Sequence, residues 1–119
     1  MLRSDFQKLV LAVLADLPPQ FRYRLENIDI VVRWRPTPAE RRLAGGGDLF
    51  GLYLGEPLPV RGDHYNMALP DKIVIYQRAH ERFCSSREEM AEQVRRTVLH
   101  EIGHYLGIEE ERLRELGMQ

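Results

Sequence analysis

Hydrophobic positions recur along this chain with two different periods. Phe6, Leu9, Val10, Val13, Leu14 and Leu17 follow a 3.6-residue repeat and predict an amphipathic helix over residues 4–17. Ser4 with Gln7 fits a capping box, and Pro18-Pro19 ends the run. Phe21–Leu25 predicts a short helical turn. Ile28, Ile30, Val32 and Trp34 then alternate with Asp29, Val31 and Arg33. That period of two predicts a strand with one mostly buried face, stopped by Pro36 and Pro38. Ala39–Leu43 adds another helical turn. Leu49–Leu54 is a second strand candidate, and the β-branched run Ile73–Gln77 a third.

Between these elements lie two breaks. Gly45-Gly46-Gly47 is followed by no Lys-Ser/Thr pair, so it is a flexible turn and not a phosphate loop. Residues 55–70 carry Gly55, Pro57, Pro59, Gly62 and Pro70 and read as a long loop, a candidate lid over a cleft. Residues 78–84 follow neither period. Ser86 with Glu89 makes a second capping box, which opens a helix expected from Arg87 to Leu106 and ended by Gly107. Ile108–Leu116 reads as a short final helix.

The bulk numbers narrow the class. A length of 119 residues suits one domain, 1–119, with a core that needs no disulfide staples. Cys84 is the single cysteine, so no internal disulfide forms. The net charge of −1 supplies no global field for nucleic acid or an anionic membrane, and neither partner is expected. Asp5, Lys8 and Asp16 interrupt the first apolar stretch, which is therefore neither a signal-peptide core nor a membrane span. A cytoplasmic, soluble protein is the expectation.

Within the long helix stands His100-Glu101-Ile102-Gly103-His104, an HExxH motif. Residues four apart lie on nearly one helix face, so both imidazoles can reach one metal ion, and zinc accepts neutral imidazole nitrogen. Glu101 points about 100° away from His100, where it can reach a water on the ion as a general base. On a helical wheel Met90, Ala91, Val94, Val98, Leu99, Ile102 and Leu106 fill the apolar half. His100 and His104 fall on the other half with Gln93, Arg96 and Thr97, so they are not core histidines. Glu101 lies at the border, where a carboxylate is partly desolvated.

A catalytic zinc usually takes three protein ligands and one open position. Gly107 and Glu110 extend the motif to HExxHxxGxxE, and a turn at Gly107 can bring Glu110 back towards the histidines. Glu109 and Glu111 beside it make a solvated acidic run the competing reading. Asp63, His64 and His80 are the upstream alternatives. Tyr105, His64, Tyr65 and Tyr76 are candidates to steady an oxyanion.

Gly51–Gly55, Leu69-Pro70-Asp71 leading into Ile73–Tyr76, and Val94–His104 together resemble the bacterial zincin-like metallopeptidase family, short HExxH proteins. The resemblance implies an α+β, minimal zincin-like fold, a small mixed β-sheet packed against the HExxH helix and the N-terminal helix. It implies His100 and His104 as metal ligands and Glu101 as catalytic acid/base; the motif's chemistry adds the expectation of one Zn2+ ion and a peptide or protein substrate. The family commonly has Asp where this chain has Glu110. Two other readings stay open: a non-catalytic domain that binds metal and a partner, and a small metal-dependent RNA hydrolase. Glu101 and the near-zero charge disfavour the latter.

Overall fold

A computed structural model describes residues 1–26, 28–43, 49–55 and 71–106. The elements run α1 (Arg3–Ala15), α2 (Pro19–Arg24), β1 (Asp29–Arg33), α3 (Pro38–Leu43), β2 (Gly51–Leu54), β3 (Lys72–Tyr76), α4 (Gln77–Phe83) and α5 (Arg87–Leu106). The three strands form one sheet in the order β1-β3-β2. β1 pairs parallel to β3, with Ile30 opposite Ile73, and β2 pairs antiparallel to it, with Tyr53 opposite Ile73. The sheet is therefore mixed, and the α+β class expected from the sequence holds.

β3 is the central strand because its residues tolerate burial on both faces. Ile73, Val74, Ile75 and Tyr76 are all fully buried, which explains a continuous apolar run in place of alternation. Ile73 and Ile75 join a core with Phe6, Leu9 and Val10 of α1 and Val94, Val98, Leu99 and Ile102 of α5. The other face turns Tyr76 towards α3, where its hydroxyl donates to Glu40 Oε1 at 2.9 Å. α5 packs on β2, β3, α1 and α4. The HExxH helix is thus seated on the sheet, with the N-terminal helix beside it.

Gly51 sets how closely β2 approaches α5. A Cβ there would lie 2.5 Å from Thr97 Cγ2 and 2.9 Å from the Val74 carbonyl oxygen, so no larger side chain fits without movement.

Several boundaries differ from the sequence expectation. α1 starts at Arg3 with Leu2 as its N-cap, so Ser4 lies inside the helix and caps nothing. The cause is tertiary. The Met1 ammonium pairs with Glu81 at 2.7 Å, and the Met1 carbonyl accepts from Gln77 Nε2 at 2.8 Å, which fixes the chain just before Leu2. Trp34 lies beyond β1, which ends at Arg33, and is 44% exposed, not buried. Gln77 opens α4 directly from β3, turning to meet the N-terminus instead of extending the strand. The α5 capping box is shifted: Glu89 N–H donates to Ser86 Oγ at 3.1 Å, but the Glu89 carboxylate accepts from Ser85 N–H at 2.9 Å. A capping box that sequence reading passed over sits at Thr37 and Glu40, each accepting the other's N–H at 3.1 Å. The lid candidate beyond Gly55, the Gly107 cap and the expected final helix lie outside the described residues.

Candidate metal centre

α5 carries His100, Glu101 and His104 in its last two turns. Their potential ligand atoms all lie within 4.8 Å of one another. The two imidazole rings stand edge to face, with centroids 4.5 Å apart and planes at 66°. The i,i+4 spacing does this directly, as the wheel required. The His100 and His104 side chains keep 26% and 45% of their surface, so the pair faces outward where an ion and a substrate can arrive.

Glu101 is different: it is only 5% exposed. The border position on the wheel becomes a buried one because β2 lies across it. Its Oε1 accepts the Tyr53 backbone N–H at 2.8 Å and stands 3.2 Å from His104 Nδ1. Its Oε2 is 4.0 Å from His100 Nε2. The strand register explains the first contact. Tyr76 N–H donates to the Phe50 carbonyl, so the inward-facing backbone groups of β2 belong to Phe50 and alternate residues after it. Tyr53 falls out of that phase, and its N–H points to the outer edge, where the carboxylate meets it. A backbone donor leaves no trace in side-chain identity, so sequence reading could not have found it.

The same helix face holds a second polar cluster, one turn earlier. Thr97 was expected on the solvated half, yet it is 5% exposed. Its hydroxyl donates to the Gln93 carbonyl at 2.8 Å, and Oγ1 lies 3.3 Å from His80 Nε2. His80 Nδ1 donates to the Tyr76 carbonyl at 2.8 Å. Nδ1 is thus engaged, and the fully buried ring lies apart from the His100, Glu101 and His104 group, which removes His80 from the candidate metal ligands. Burial holds the His80 imidazole below its ordinary pKa of 6.5, only partly opposed by the bond to the Tyr76 carbonyl.

Tyr76 is likewise removed from the oxyanion candidates. Its buried hydroxyl is committed to Glu40, and burial followed by that carboxylate drives its pKa far up. Glu40 also pairs with Arg33. Burial pushes the Glu40 pKa upward, but the Thr37 N–H, the Tyr76 hydroxyl and Arg33 together hold it below its ordinary value. Glu110, Asp63, His64, Tyr65 and the Tyr105 side chain lie outside what the structure describes.

The donor set suits zinc: two imidazoles whose nitrogens converge, a carboxylate beside them, and an open approach. A helix bearing this triad, laid against the edge strand of a small mixed sheet, defines a minimal zincin-like fold. The model of the zincin-like metallopeptidase family matches residues 25–118, and the chain belongs to that family. A solved structure described as a conserved hypothetical protein (TTHA0227) from Thermo thermophilus is similar in fold, with a TM-score of 0.56. The two are 22% identical, over 97% of this chain and 99% of that one. No curated protein matches the chain. Among the described residues, no helix is long and apolar enough to cross a membrane.

Proposed function

We propose that the protein is a zinc-dependent peptidase, in which His100 and His104 hold one ion and Glu101 acts as general base. The observation that carries this reading is the placement of Glu101. One carboxylate oxygen is pinned to the sheet edge by Tyr53 N–H, and the group stands between two outward-facing imidazoles. A solvated acidic side chain would have no such anchor.

A bound zinc supplies Lewis acidity, lowering the pKa of water towards about 7 and polarising a carbonyl. Glu101 takes the proton of the attacking water and passes it to the leaving amine. Tyr53 N–H keeps the carboxylate aimed during both transfers. Glu110 is the proposed third ligand, with Asp63 and His64 as its rivals. Among the described residues β2 lies at an edge of the sheet with its outer side next to Glu101, so an extended peptide pairing along it would cross the triad. Peptides and proteins are the substrates this edge fits.

The test combines metal analysis with a peptide-cleavage screen. One zinc per chain is expected, lost on replacing His100 and His104 together by Ala. Glu101→Gln is expected to keep the zinc and lose hydrolysis by about 100-fold or more. Wild-type hydrolysis by that variant would remove Glu101 from the mechanism. Purified protein that takes up no zinc from excess metal would end the proposal altogether.

A further inference from the structure

At the far end of the sheet from Glu101 lies a cavity of about 360 Å³, lined by four arginines, Arg35, Arg41, Arg78 and Arg82. Trp34 and Tyr76 form part of its apolar wall. Trp34 follows β1 and Tyr76 ends β3, whereas Glu101 meets the sheet beside Ile73. Three residues of strand separate the two places, about 10 Å along β3.

The charge in this cavity is local. The whole chain has a net charge of −1, yet no acidic residue lines the cavity among the described residues. Glu40, the carboxylate behind Tyr76, is already engaged by Arg33, Thr37 N–H and the Tyr76 hydroxyl. Like charges gathered in a concavity repel one another and focus a positive field that an anion relieves. Guanidinium forks match phosphate oxygens in pairs, which a lysine ammonium does not.

The rest of the lining says what else the occupant carries. A bare oxyanion needs neither an indole nor a volume at the lower end of the small-ligand range, about 300–1,000 Å³. Trp34 is 44% exposed, and its backbone is fixed by its carbonyl accepting the Arg78 N–H at 2.9 Å. Pro36 and Pro38 stiffen the wall that follows it. Tyr76 is locked by Glu40. The backbone beneath the indole and the Tyr76 wall are therefore set before any ligand arrives. We propose that this cavity is a binding site for a mononucleotide, its phosphates held by Arg35, Arg41 and Arg78 and its ring stacked on Trp34. A nucleic-acid strand fits less well, since the net charge offers no extended basic track.

Trp34 is the only tryptophan, so its fluorescence reports on this cavity alone. Titrating the full chain with ATP in magnesium buffer is expected to give a saturable change. Inorganic triphosphate should bind about tenfold more weakly, for want of a ring to stack. Arg41 and Arg78 are exposed at the surface, so Arg41→Ala and Arg78→Ala should leave the melting temperature nearly unchanged. Each should weaken ATP binding about tenfold. Calorimetry on Trp34→Ala should show ATP weakened to the level of triphosphate. The proposal is overturned by any of four results: no saturable change through millimolar ATP, equal binding of ATP and triphosphate, unchanged affinity in the Arg41→Ala/Arg78→Ala protein, or preferential binding of an acidic peptide or an oligonucleotide. None of these readings depends on metal or peptidase activity.

Discussion

Gly51→Ala tests the contact that joins sheet to site. In an exposed strand such a change would stabilise by about 0.4–1 kcal/mol, through the unfolded chain alone. Here the new methyl would lie 2.5 Å from Thr97 Cγ2 and 2.9 Å from the Val74 carbonyl oxygen. Neither neighbour gives easily. The Thr97 hydroxyl is tied to Gln93 and His80, which fixes its rotamer, and Val74 is part of the central strand. Overpacking of this kind costs about 1–3 kcal/mol, so the net effect is destabilising. Thr97→Ser removes the offending methyl and keeps the hydroxyl. The pair should therefore couple, with Gly51→Ala costing at least about 0.5 kcal/mol less in the Thr97→Ser background. Full rescue is not expected, because the Val74 oxygen remains. Urea unfolding of the four proteins, with equal m-values, measures the cycle. Because Tyr53 follows two residues on, β2 pushed off α5 should also lengthen the bond to Glu101 and slow hydrolysis. A Gly51→Ala protein as stable as wild type, or strictly additive changes, would refute the close approach of β2 and α5.

Glu101→Ala leaves the half-buried Tyr53 N–H without its acceptor and should cost about 1 kcal/mol, whereas Glu101→Gln keeps an acceptor and should cost less. Thermal melts of the two variants order them. At Glu40, replacement by Ala strands the buried Tyr76 hydroxyl and should cost about 1–3 kcal/mol, while Arg33→Ala should cost no more than about 1 kcal/mol because that guanidinium is 36% exposed. Reversed costs would refute the central role given to the carboxylate. Stability should fall as the pH drops below 6.5, since His80 is held below that ordinary value and the unfolded chain then binds the extra proton. A further loss should follow below 4.5, where the lowered Glu40 pKa makes the unfolded carboxyl the better proton acceptor. His80→Asn should flatten the first phase alone, as read from denaturation at a series of pH values.

The two histidines and the helix that carries them were written in the sequence, because their relation is local. An i,i+4 pair shares a helix face whatever else the fold does, and the helix ran over the expected residues, Arg87–Leu106. The strand β3 was equally legible, since a β-branched run buried on both faces has few other uses. What surrounds the triad depends on contacts between distant segments. Glu101 is 48 residues from its backbone donor at Tyr53, and only the register of β2 on β3 aims that N–H. Thr97 looked like a surface group because a helical wheel knows nothing of a neighbouring helix. Likewise Ser4 lost its capping role to a tie between Met1 and α4, across nearly 80 residues. The arginine-lined cavity gathers residues from three separate segments that share no motif. Periodicity and spacing report geometry within one element, and the positions of elements relative to one another come only from burial and pairing across the whole chain.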